Sequence, residues 1–139
     1  MRSLIALIAL ASPATAWEFS PLPVCTLDHL SGDSRLTVTY DATASEPYAI
    51  EISSPDIAPA PVFGIRFSGG TNLTITTDRH SVEGSSVRVS DRGFGNVLNG
   101  IEFGDTATAL LGNTVIPFSL EGADAPMQAF RACTETPVA

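Results

Sequence analysis

Asp91-Arg-Gly-Phe-Gly-Asn-Val-Leu-Asn-Gly-Ile-Glu-Phe-Gly104 is the stretch on which the reading of the fold turns. Most of the chain alternates apolar and polar residues, the period of a half-buried strand. Here the period changes. Phe94, Val97, Leu98 and Ile101 fall at i, i+3, i+4 and i+7, so a turn or two of helix puts all four on one face. The spacing predicts a short cap helix over about residues 94–100, set against one end of an all-β core.

Strand patterns lie on both sides of this stretch. Downstream, residues 106–111 and 114–120 flank Gly112-Asn113, a two-residue hairpin signal of the type II′ class. Pro117 cannot donate to a ladder, which sends the second arm to a sheet edge. A helix is expected over about 123–132, with Pro126 in its first turn, where a missing N–H costs little. Met127, Phe130 and Cys133 can share a face of it, and Thr134 to Ala139 reads as a loose tail.

Upstream, Trp17 to Pro23 reads as an extended lead-in, since two prolines exclude a helix interior. Val24 to Asp28 reads as a short strand and His29 to Asp33 as a turn. Residues 34–41 and 48–53 read as neighbouring strands, with Leu36, Val38, Tyr40, Tyr48, Ile50 and Ile52 inward. Ser54 to Pro61 carries three prolines and reads as an exposed loop or edge segment. Phe63, Ile65 and Phe67 mark a further strand, and Leu73 and Ile75 another. Asp78 to Ser86 reads as one turn, returning through Val87 and Val89. The whole is all-β: a sandwich or small open barrel of seven to eight short antiparallel strands, with two helices. Strands of this length are too short for a lipid-spanning barrel, which needs roughly 9 to 11 residues each.

Residues 1–16 have the layout of a secretory signal peptide: Arg2, an apolar run from Leu4 to Ala11, and the A-x-A site Ala14-Thr15-Ala16. The apolar run falls well short of the roughly 20 residues of a spanning helix. Cleavage after Ala16 leaves 123 residues, Trp17 to Ala139, which suits a single domain. Cys25 and Cys133, near its two ends, read as a disulfide, the usual state of an even pair in an exported chain.

Charge narrows the chemistry. The full chain carries 7 basic residues, all arginine, against 15 acids. An acidic surface without a basic cluster suits neither nucleic acid nor anionic lipid. With no lysine, neither a Walker phosphate loop nor Schiff-base chemistry can be built. Gly93-x-Gly95 lacks the third glycine and the βαβ setting of a dinucleotide fingerprint. His29 and His80, the 2 histidines, are fifty residues apart, which leaves little for a zinc site. No metal and no cofactor is expected.

The best polar cluster is Thr77-Asp78-Arg79-His80. Two residues apart on a strand, Asp78 and His80 would point the same way, as a small hydrolase would need. No G-x-S-x-G elbow accompanies them, and a turn held by Asp and Arg with an exposed His is the commoner arrangement. Trp17 and Phe19 remain as aromatics outside the core pattern. They form either a recognition patch or a terminal segment packed on the sheet, of which the second is the more usual.

The ending Phe118-Ser-Leu-Glu-Gly-Ala-Asp-Ala-Pro-Met-Gln-Ala-Phe-Arg-Ala-Cys133 resembles the closing strand and helix of invasion-associated locus B-like envelope proteins of alphaproteobacteria. Thr76-Thr-Asp-Arg-His80 with Asp91-Arg-Gly-Phe-Gly-Asn-Val-Leu98 is similar to a narrower group of uncharacterised small secreted alphaproteobacterial proteins. Some of that group carry the label of an excinuclease, an ATP-driven DNA repair motor. A short, acidic, lysine-free chain with an export signal contradicts that label. The resemblance implies a β-sandwich envelope protein.

The expected function is therefore non-enzymatic: a periplasmic or secreted interaction module with an envelope or extracellular protein or glycan as partner. The alternatives are a small periplasmic hydrolase using His80 and Asp78, or a structural or inhibitory protein with no small-molecule site. The expected binding surfaces are the 54–61 edge, through Ile57, and the 91–104 cap, through Phe94, Asn96 and Asn99. On this reading Ile57→Asp weakens binding and spares the fold.

Overall fold

A computed structural model describes residues 17–135. The expected signal peptide, 1–16, and the last four residues of the expected tail lie outside the described residues. Trp17–Ser20 (β1), Cys25–Ser31 (β2), Ser34–Tyr40 (β3) and Tyr48–Ser53 (β4) run as an antiparallel meander. Phe63–Ser68 (β5) and Leu73–Thr77 (β6) pair next, followed by the hairpin of Ser81–Glu83 (β7) and Ser86–Asp91 (β8). Gly95–Phe103 is α1, Thr106–Leu111 and Thr114–Ser119 are β9 and β10, and Asp124–Thr134 is α2. Two open antiparallel sheets result, ordered β1-β2-β3-β4-β8-β7 and β10-β9-β5-β6.

Strand alternation builds the core. Leu27, Leu36, Val38, Ile52 and Val87 of the larger sheet are almost wholly buried against Phe63, Ile65, Phe67, Ala109 and Phe118 of the smaller one. Gly112 opens the β9–β10 turn with φ 59°, the left-handed backbone that a II′ turn needs at its first central residue. Pro117 lies on β10, the edge strand that its missing N–H requires.

Both helices lie where the apolar spacing puts them. α1 buries Val97, Leu98 and Ile101, and Gly100 brings its backbone directly onto the Phe67 ring. α2 buries Met127 and Phe130 and packs on β1, β2 and α1. The Cys25–Cys133 disulfide, with its Cα atoms 6.0 Å apart, ties α2 to β2. Arg131 of α2 completes the link to α1. Its Nε donates to Glu102 at 2.7 Å and its Nη2 to the Asn99 side-chain oxygen at 2.8 Å.

Four local readings change. Ten strands form in place of seven or eight, because the lead-in pairs as β1 and the 78–86 stretch contains β7. That stretch is not a single turn: it carries the chain out of the smaller sheet and into the larger one, where β8 pairs with β4. β2 runs through His29 to Ser31, and the turn is only Gly32-Asp33. His29 stays in the strand because its ring is a core element. It is 1% exposed, stacked on Trp17 at 4.3 Å and set edge-on to Phe118. Finally, α2 extends to Thr134, whose hydroxyl donates back to the Arg131 carbonyl at 2.8 Å.

Trp17 closes one flank of the sandwich. Its ring is buried, and its indole N–H donates to the Ser119 carbonyl at 2.9 Å, stitching β1 to β10 across the two sheets. The opposite flank, where β8 faces the edge strand β6, holds a cleft. Among the described residues, no helix is long and apolar enough to cross a membrane.

Candidate functional site

The cleft has a volume of about 360 Å³, at the lower end of the range of small-molecule pockets. Its walls follow from strand register. Ile50 and Val89 are cross-strand partners on the larger sheet, and Ile65 and Ile75 are partners on the smaller one. Phe94 and Val97 close it from α1, and Phe63 lies deeper in the same wall.

The mouth is polar, and its two charged lining residues have opposite signs: Arg79 and Asp91. Arg79 sits on the crossover between the sheets, its backbone N–H held by the Thr77 hydroxyl at 3.0 Å. Its Nη2 lies 3.6 Å from Glu46 and 3.9 Å from Asp91. Both distances exceed those of a charge-assisted hydrogen bond. Both carboxylates accept shorter bonds elsewhere, Glu46 from the Ser90 hydroxyl at 2.9 Å and Asp91 from the Arg92 N–H at 2.7 Å. With a side chain 61% exposed, Arg79 gains little from either pair. It is a cation held beside the cleft in two long ion pairs, with no hydrogen bond to its guanidinium among the described residues. Arg131, locked between Glu102 and Asn99, is the contrast.

The first turn of α1 also faces this mouth. Phe94 occupies the N-cap without a side-chain hydrogen bond, and the turn carries no acidic residue. Its free N–H groups add positive character beside Gly95 and Asn96.

The residues singled out from sequence separate into three sets. Asn96 and Phe94 line the cleft, although Phe94 is only 7% exposed and packs on Tyr48 at 5.7 Å, as an inner wall. Asn99 is exposed but holds Arg131. Ile57 is not on a surface at all. It is 7% exposed and part of the core: the loop around it is exposed as expected, at Pro55, Asp56, Ala58 and Pro59, but the Ile57 side chain turns inward. That loop is pinned by the Thr114 hydroxyl on the Asp56 carbonyl, at 3.0 Å, and by His80 on the Ala60 carbonyl.

The pair that hydrolysis would need is not formed. Residues 78–80 lie in the crossover and not on a strand, so the same-face argument does not apply. Asp78 is exposed and makes no hydrogen bond or ion pair with His80. His80 Nε2 donates to the Ala60 carbonyl at 2.7 Å, since a carbonyl only accepts. The nitrogen that would face a nucleophile is thereby occupied, and Nδ1, where a carboxylate would orient the ring, has no hydrogen-bond partner among the described residues. His80 is a loop anchor. Among the described residues, no group of three or more His, Cys, Asp or Glu is placed to hold a metal ion.

Asp91 opens the 91–104 cap expected to bind and Arg79 belongs to the best polar cluster, but neither is singled out from sequence as a binding residue. Their signal is the two stretches that carry the narrower resemblance: Thr76, Thr77 and Arg79 come from the first, and Asp91 and Gly93 to Val97 from the second. No protein-family model, curated protein or solved structure matches the chain.

Proposed function

We propose that this is an exported binding protein, periplasmic or secreted, that performs no catalysis and takes an apolar group of its ligand into the cleft between the sheets. The observation that carries this reading is the open cleft of about 360 Å³, with apolar walls and a rim of Arg79 and Asp91. The apolar part of this mixed lining, with Ile75 and Val89 half-buried in it, gains free energy when a ligand displaces its water. The leader pattern and the disulfide support export. The ligand belongs to the envelope or the medium. A protein or glycan partner would offer one projecting group, and a small molecule would enter whole.

The test is titration of the oxidised protein, recovered from its exported fraction, with the apolar dye N-phenyl-1-naphthylamine. Ile75, half-buried on the edge strand β6, is replaced by Trp to fill the cleft. Saturable dye binding that Ile75→Trp removes, at unchanged far-ultraviolet circular dichroism, supports the reading. No saturable binding, or binding indifferent to the substitution, defeats it.

A further inference from the structure

We propose that the cleft is built for a small zwitterion, an α-amino acid with an apolar side chain. The proposal rests on the binding reading above and adds the ligand's chemical class.

The mouth decides between charge types. Arg79 and Asp91 are the two charged residues that line the cleft, and they stand 3.9 Å apart without a hydrogen bond between them. No hydrogen bond engages the Arg79 guanidinium among the described residues, so its planar fork is available for a carboxylate. Asp91 uses Oδ1 for the Arg92 N–H, and its side chain is half exposed. A lone anion on Arg79 meets Asp91, with Glu46 3.6 Å behind the guanidinium. A lone cation on Asp91 meets Arg79. The anion thus gains one attraction against two repulsions, and the cation keeps one repulsion from the guanidinium. A head group carrying a carboxylate and an ammonium side by side satisfies both residues, and an α-amino acid carries them on one carbon.

The body of the cleft fits the rest of such a molecule. Ile50, Ile65, Ile75 and Val89 supply apolar walls for one branched or aromatic side chain. Phenylalanine, with about a dozen non-hydrogen atoms, is a small ligand for a cleft of this size. Asn96 at the rim provides a neutral hydrogen-bonding group for the head.

The experiment compares L-phenylalanine with 3-phenylpropionate, which lacks the ammonium, and with phenethylamine, which lacks the carboxylate. Binding to the full oxidised protein is followed by amide shifts in nitrogen-15 spectra, read at residues 75–79 and 89–97. Phenylalanine is expected to bind at least about tenfold more tightly than either analogue, the worth of one good charged contact. Arg79→Gln should bring phenylalanine down to the level of phenethylamine, and Asp91→Asn down to that of phenylpropionate. Arg79→Lys, which keeps the charge, checks that the loss is not a folding defect. Equal affinities for the three compounds, or an Arg79→Gln protein that binds phenylalanine as before, overturn the proposal. If the dye still enters the cleft in that case, the general binding reading stands. If it does not, both fall together.

Discussion

Replacing Gly100 by Ala should destabilise the protein, against the ordinary rule for helices. In an exposed helix interior the change is favourable by about 1 kcal/mol, because alanine loses less backbone entropy. Gly100, however, is the contact point of α1 with the smaller sheet. A Cβ there would sit 2.5 Å from Cγ and Cδ2 of Phe67 and 2.6 Å from Cε2. Phe67 is 1% exposed and enclosed by the core, so its ring has nowhere to retreat. Either α1 lifts or the ring leaves its rotamer, an overpacking cost of about 1 to 3 kcal/mol. Taking the middle of that range, the loss exceeds the helical gain by about 1 kcal/mol, or roughly 4 °C in melting temperature for a domain of this size. Gly95→Ala is the control, since its Cβ would meet nothing within 4 Å, and its effect should stay within about 0.5 kcal/mol. Urea unfolding of the oxidised proteins, followed by far-ultraviolet circular dichroism, measures both. A Gly100→Ala protein as stable as the parent, or more so, would refute the idea that Phe67 sets the distance between helix and sheet.

Three further outcomes are expected. Removing the Cys25–Cys133 bond by a double Ser substitution releases a loop spanning 108 positions, and should cost about 4 to 5 kcal/mol by chain entropy, read as a lowered urea midpoint against the oxidised parent. Ile57→Asp should unfold the protein or cost more than about 4 kcal/mol, because it buries an unpaired carboxylate, whereas Ile57→Val should cost about 0.5 to 1.5 kcal/mol; a stable Ile57→Asp protein in thermal melts would place that side chain at the surface. Asp41 should titrate below the ordinary value of 3.8, first because the Thr43 hydroxyl and then because the Thr43 N–H binds its ionised form. The contribution this makes to stability is present above pH 3.8 and is lost as the pH falls through the lowered folded value, so carbon-13 titration of the Asp41 carboxyl should show a lowered midpoint that Thr43→Val raises.

Local pattern carries much of this fold. β3, β4 and β5 alternate cleanly, the β9–β10 turn announces itself through Gly112, and α1 and α2 follow from apolar spacing. Two strands escape because they are only four and three residues long, too brief for a period to show. His29 and Ile57 are misread for a different reason. A histidine after an aspartate, or an isoleucine among prolines, looks like surface until its neighbours are known. Those neighbours, Trp17 and Phe118 for the one and the core cluster for the other, come from distant parts of the chain. The cleft is hidden in the same way. It exists because the chain changes sheets at residues 78–80, and this crossover brings Arg79 beside Asp91 and beneath α1. Whether two strands share a sheet is decided by global packing, and no window of alternating residues records it.

Trp17 has a spectroscopic consequence. It is the one tryptophan of the chain, so all indole emission comes from a single ring. That ring is stacked on His29 and hydrogen-bonded to Ser119, on the first strand of the six-stranded sheet. The cleft begins at β4, three strands away, about 14 Å at ordinary strand spacing. Indole emission therefore reports on the flank held by α2 and the disulfide. A ligand that does not absorb at the indole emission, such as phenylalanine, should leave that signal unchanged on entering the cleft, while fraying of β1 should register at once.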